Sequence, residues 1–120
     1  MIKRADKSTD DVLVLNASDE ITAEDYTEVL VPNMQKLVDT KGSIRAVIVF
    51  DDTFTSFTFG AMLEDGLFGM KNISDFEKVS VVGLHNWMEK FIKAVEFIAP
   101  NTIKRFEPSQ VDEAIAWAKS

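Results

Sequence analysis

The chain reads as a single α/β domain with a mostly parallel, four- to five-stranded sheet and alternating helices. Three observations predict this. Short β-rich apolar runs alternate with amphipathic helical stretches. One run, "IRAVIVF", is almost wholly apolar, as a strand buried on both faces must be. No linker, repeat or low-complexity tract interrupts residues 1–120.

The first strand is expected near 12–17, in "DVLVLNA", with an added antiparallel edge strand within residues 2–8. A helix follows near 22–40. Thr22 is its N-cap, Asp25 completes a capping box, and Gly42 stops it. Pro32 falls inside and should kink it by removing a backbone donor. The buried strand spans 44–50. An amphipathic helix near 60–72 precedes a strand near 78–83, "KVSVVG". A helix near 86–98 is capped by Asn86 and stopped before Pro100. A strand near 102–106 leads to a last helix near 109–118, capped by Ser109 with Asp112 three residues on.

Composition excludes several functions. There is no cysteine and only one histidine, so thiolate chemistry, disulfides and two-His metal sites are absent. The net charge of -7 argues against nucleic acid. Residues 1–65 hold 6 Lys/Arg and 13 Asp/Glu (6 - 13 = -7), and residues 66–120 hold 7 of each (7 - 7 = 0), so an anionic surface would meet the C-terminal half. No apolar leader or span of ~20 apolar residues is present, which predicts a cytoplasmic protein, at most peripheral to a membrane.

"ITAEDYTEVLVPNMQKL", "DDTFTSF" after a buried strand, "DFEKVSVVG", Trp87 and "FEPSQVDEAIAWA" together resemble the SpoIIAA-like family. The resemblance runs from Asp11 to the end. It implies a βα superhelix akin to STAS and CRAL-TRIO domains, with no established reaction and with apolar-ligand or membrane binding as the expected activity. STAS domains that switch partners carry a serine in a "DSSG"-like turn after the corresponding strand; here that place reads "DDTFTSFTFG", which departs from the motif.

The segment "TSFTFGAMLEDGLFGMKNI" is both greasy and glycine-loosened. At 100° per residue, Met62, Leu63, Gly66, Leu67, Gly69, Met70 and Ile73 share a face, and Phe68 falls among the polar residues. Along Trp87–Ala99 the stripe is Trp87, Met88, Phe91, Ile92, Ala94, Val95 and Ile98, and Phe97 falls between Lys90 and Lys93. The simpler interpretation is core packing. The functional one is a non-enzymatic binding module whose apolar small molecule or acyl chain is walled by Phe57, Phe59, Met62, Leu63, Leu67, Met70, Trp87, Met88 and Phe91. Phe68, Phe97, Lys90, Lys93 and Lys71 would then touch an anionic membrane or a partner. The alternative is a STAS-like regulatory domain that binds another protein, or a second copy as a homodimer, through "TFTSFTFG" and the following helix.

Catalytic patterns are weak. The strand ends carry Asn16, Asp51, Asp52, Thr53, His85, Asn86 and Glu107. Asp51 and Asp52 are adjacent, so on a strand they diverge. An Asp–Asp–His cation site lacks ligands, and His85 with Ser80 or Ser56 lacks a nucleophile elbow. No phosphate loop exists. Neither a cofactor nor a metal is expected.

Overall fold

The computed structural model describes residues 1–58, 60, 75–83 and 101–120. Its elements are β1 (Ile2–Arg4), β2 (Leu13–Ala17), β3 (Glu20–Ile21), α1 (Ala23–Asp25), a π turn (Tyr26–Leu30), α2 (Val31–Lys41), β4 (Ile44–Phe50), β5 (Ser56–Phe57), β6 (Phe76–Val82), β7 (Ile103–Phe106), a 3-10 turn (Pro108–Gln110) and α3 (Val111–Lys119). The five-stranded sheet has the order β1-β2-β4-β6-β7. β1 is antiparallel to β2, and every other pair is parallel. The expected edge strand therefore exists, confined to three residues. The expected helices near 60–72 and 86–98 lie outside the described residues, apart from Gly60.

Alternation along the strands builds a core on each face. Leu13, Leu15 and Ala17 of β2, with Ile44, Ala46 and Phe50 of β4, meet Tyr26, Leu30, Met34 and Leu37. Val12, Val14, Val47, Val82 and Phe106 meet Ala114 and Ala118 of α3 on the other face. The two small alanines let α3 lie close to the β-branched residues of the sheet. Central strand β4 is thus packed on both sides, as its unbroken apolar run requires.

The entry to the first helical stretch matches its sequence signals. Thr22 Oγ1 accepts the Asp25 N–H at 3.3 Å, and Asp25 Oδ2 accepts the Thr22 N–H at 2.8 Å. Gly42 ends α2 in the left-handed conformation, φ 80°, donating its N–H to the Val38 carbonyl.

One expectation is refined and one is corrected. Pro32 does not simply kink an α-helix. The turn before it widens to a π turn, with Val31 N–H bonded to the Tyr26 carbonyl, and Pro32 then sits in the first turn of α2. The helical backbone runs without a break from Ala23 to Lys41, and the wider π turn falls where Pro32 has no N–H to donate. The Asn33 side-chain amide donates to the Val29 carbonyl at 2.6 Å across the transition. Ser109 does not cap the last helix either. Pro108 opens a 3-10 turn, in which Glu107 N–H donates to Gln110 Oε1 and Gln110 N–H to the Glu107 carbonyl, both at 2.9 Å. Asp112 faces Lys7 at 3.2 Å instead of serving a cap.

Candidate functional site

In a parallel sheet the loops beyond the C-terminal strand ends are the natural place for a site. Here the loop after β4 is built by specific hydrogen bonds. Asp51 N–H donates to the Ala17 carbonyl at 3.0 Å, carrying the loop over the end of β2. Asp51 Oδ1 then accepts Thr53 N–H at 2.9 Å and the Thr53 hydroxyl at 2.7 Å, a local Asx turn. Thr53 Oγ1 in turn accepts Asp19 N–H at 3.3 Å. Thr55 and Thr58 donate their N–H groups to the Asp19 and Ile21 carbonyls, both at 2.9 Å. Between them β5 pairs in parallel with β3, Glu20 opposite Ser56 and Ile21 opposite Phe57. Phe54 is buried beneath this loop, its ring edge-on to Phe50 at 4.7 Å.

This geometry decides what the candidate groups can do. Asp51 and Asp52 lie in the turn past the strand, both exposed, with Asp51 committed to Thr53. They form no carboxylate pair. Among the described residues no group of three or more His, Cys, Asp or Glu side chains has the arrangement of a metal site. Ser80 is fully buried, and its hydroxyl donates to the Ala114 carbonyl at 2.8 Å. It fastens α3 to β6 and is no nucleophile. Among the described residues, Asp25 is the one carboxylate with a clear shift. Burial pushes its pKa up, but the Thr22 N–H and hydroxyl, the Ile2 N–H and the terminal amine together hold it below the ordinary carboxylate value.

The same edge holds two backbone features without a sequence signal of their own. Asp19 takes a positive φ of 52°, which its short polar side chain tolerates. Gly83, φ 80°, brings its backbone over the end of β4: a Cβ there would stand 2.6 Å from the Phe50 carbonyl oxygen. Its N–H reaches the Phe106 carbonyl at 3.2 Å, so one glycine ties the ends of β4, β6 and β7.

Of the proposed ligand wall, Phe57 is described through its backbone in β5. Phe59, Met62, Leu63, Leu67, Met70, Trp87, Met88 and Phe91 lie outside the described residues, as do Phe68, Phe97, Lys90, Lys93, Lys71 and His85. On the sheet face shared with α2, Ile48, Val79 and Ile103 of three neighbouring strands are half-buried. Ala46 and Val81, which share that face, are buried.

A family model described as SpoIIAA-like matches residues 12–119. The chain belongs to the SpoIIAA-like family. Its fold is also that of the crystal structure of an uncharacterized protein of the DUF3478 family from Shewanella loihica PV-4, described as having a SpoIIAA-like fold. That likeness has a TM-score of 0.71 and 22% identity, and covers 98% of this chain and 90% of that one. No curated protein matches the chain. In this SpoIIAA-like domain, among the described residues, no helix is long and apolar enough to cross a membrane.

Proposed function

We propose that this SpoIIAA-like domain is a non-enzymatic binding module that takes up an apolar small molecule or lipid acyl chain and associates reversibly with anionic membranes. The observation that supports the reading best is the half-buried aliphatic strip Ile48, Val79 and Ile103. These side chains sit side by side on one face of the parallel sheet, next to the buried Ala46 and Val81, and half-open aliphatic surface of this kind is what an acyl chain covers. The candidate hydroxyl of Ser80, on the opposite face, and the Asp51 carboxylate are held in structural hydrogen bonds, which fits binding better than catalysis. On this reading Phe57, Phe59, Met62, Leu63, Leu67, Met70, Trp87, Met88 and Phe91 would supply the rest of the ligand wall.

Native mass spectrometry of the purified protein tests the ligand. A co-purified lipid, or stoichiometric uptake of an added fatty acid, is expected; a protein that neither carries nor takes up such a molecule refutes it. Membrane association rests on Phe68 and Phe97 as wedges and on Lys71, Lys90 and Lys93 as the electrostatic hold. A fully buried phenylalanine contributes about 1.5–3 kcal/mol, and a lysine near an anionic bilayer about 1 kcal/mol. After ordering costs the sum fits weak, salt-sensitive binding. Co-sedimentation with anionic vesicles should be lost in Phe68→Ser/Phe97→Ser, and binding unchanged in that variant removes this part of the reading.

A second reading is a regulatory protein–protein interaction domain, which family membership supports. It draws on the pinned loop from Asp51 to Thr58, which turns Asp51, Asp52 and Thr55 outward. Light scattering checks the simplest version, a homodimer. A dimer that Asp52→Lys dissociates is expected on this reading, and a monomer at all concentrations rejects self-association.

A further inference from the structure

At the opposite edge of the sheet, the β1–β2 hairpin and the second half of α2 enclose a groove of about 260 Å³. Its floor is aliphatic, formed by Leu13 and Leu37. Three cations converge on it in a chain of net charge -7: Arg4 from β1, and Lys36 and Lys41 from α2. Lys41 is held by Asp11 at 3.3 Å, whereas Arg4 and Lys36 have no ion pair among the described residues. Asp10 also lines the groove. Against the three cations stand these two carboxylates, which leaves one positive charge uncompensated (3 - 2 = 1).

We propose that this groove binds a singly charged phosphodiester. The charge balance favours a monoanion, because a dianion would leave one negative charge facing Asp10 and Asp11. The volume leaves room for the two ester arms, whose carbons rest on Leu13 and Leu37. Arg4 supplies a planar fork of donors for the phosphate oxygens, and Lys36 a second, mobile cation. Thr9 adds a hydroxyl donor. Its oxygen accepts the N–H groups of Asp11 at 3.3 Å and Val12 at 3.1 Å, bonds that do not use its own proton and so leave it available to a ligand. Thr40 adds none, since its hydroxyl donates to the Lys36 carbonyl at 2.8 Å.

The diester belongs either to a soluble molecule or to a lipid headgroup, and two arms separate these sources. In the first, glycerophosphoglycerol is titrated into the labelled full chain and amide shifts are followed by NMR. Shifts confined to the neighbourhood of Thr9, Lys36 and Lys41 are expected. Lys36→Glu and Arg4→Gln, both at exposed positions, should each weaken binding about tenfold while leaving the spectrum folded. In the second, vesicles with and without phosphatidylglycerol are compared. Vesicle binding that glycerophosphoglycerol competes away identifies the headgroup, and saturation by the soluble diester without vesicle binding identifies a free ligand. The absence of shifts, shifts of equal size around Lys104 and Lys119, or binding unaltered by Lys36→Glu each overturn the site. Vesicle binding lost in Phe68→Ser/Phe97→Ser but indifferent to Lys36→Glu upholds the membrane reading above and excludes the headgroup as the source of the diester; if glycerophosphoglycerol also fails to shift the groove amides, this site is overturned.

Discussion

Gly42 and Gly83 share a φ of 80°, yet they are not equivalent. A Cβ on Gly42 meets nothing within 4 Å, whereas one on Gly83 meets the Phe50 carbonyl oxygen at 2.6 Å. Gly42→Ala should therefore cost only the left-handed backbone penalty, about 1–2 kcal/mol. Gly83→Ala should cost that plus the displacement of a strand end, about 3 kcal/mol or more in all. Urea denaturation of the two variants checks the difference, and equal losses would show that the close approach is not rigid. Asp25 supports a second prediction at this scale. Its folded pKa lies below its unfolded value, so its contribution is present above the unfolded value, near 4, and is lost as pH falls through the depressed folded value. Wild-type melting temperature should fall more steeply below about pH 4 than that of Asp25→Asn, which has no such proton to bind. Parallel curves would remove the assigned role. The capping-box half of this carboxylate was legible from the Thr22–Asp25 spacing. Its reach to the Ile2 N–H at 3.2 Å was not, because β1 is brought there by sheet pairing.

Among the elements, α3 shows how a short helix is fastened at its C-terminal end. Its negative C-terminal carbonyls attract cations from the sheet beneath. Arg45 Nη1 donates to the Ala118 carbonyl at 2.8 Å, and Lys78 Nζ reaches the Trp117 carbonyl at 3.4 Å and the Ser120 hydroxyl at 2.6 Å. Lys78 also lies 5.0 Å from the centre of the Trp117 ring. Arg45 gains a second hold on Glu77, 2.8 Å away, where the β4–β6 register slips at Ile44/Arg45 and leaves Glu77 unpaired. The Arg45→Met/Lys78→Met variant should destabilise by about 2–4 kcal/mol, because each change removes charge-assisted bonds worth about 1.5–3 kcal/mol and methionine recovers part by packing. Hydrogen exchange should rise mainly in α3; unchanged exchange there would make these contacts incidental. The outermost strands β1 and β7 both begin Ile-Lys-Arg. Charged side chains on edge strands discourage pairing with other chains, so the repeated tripeptide reads as protection.

At the scale of the molecule, the sheet divides stability unevenly. β4 lies between two parallel neighbours and under a core on each face, whereas β1 is a three-residue edge. Amides of β4 should therefore exchange only on global unfolding and those of β1 by local opening, on the order of several kcal/mol sooner. Mass-spectrometric hydrogen exchange separates them, and a β4 as open as β1 would contradict the two-sided core. Charge is divided as well. Exposed Asp19, Glu20, Asp51 and Asp52 gather at the C-terminal edge of the sheet, while Arg4, Lys36 and Lys41 line the groove at the other edge. That polarity is invisible in the half-chain totals, since all seven residues come from the acidic half.

By itself the sequence determined the α/β class, the parallel strands at 44–50 and 102–106, the capped start at Thr22 and the stop at Gly42. These follow from local causes: apolar runs bury, a threonine with an acid three residues on closes its own hydrogen bonds, and glycine alone enters the left-handed region cheaply. The SpoIIAA-like family could be read in the same way, from segments spread along the chain. Tertiary structure alone decided the π turn before Pro32, the β3–β5 pairing that pins Ser56, the burial of Ser80 and the close approach at Gly83. Each of these is a meeting of residues distant in sequence or a compromise imposed by packing, and neither propensity nor periodicity records which backbone will arrive opposite a given side chain. For the same reason the groove of Arg4, Lys36 and Lys41 had no signature: its cations are scattered singly along the chain and converge only because β1 returns beside β2 and α2 packs across them.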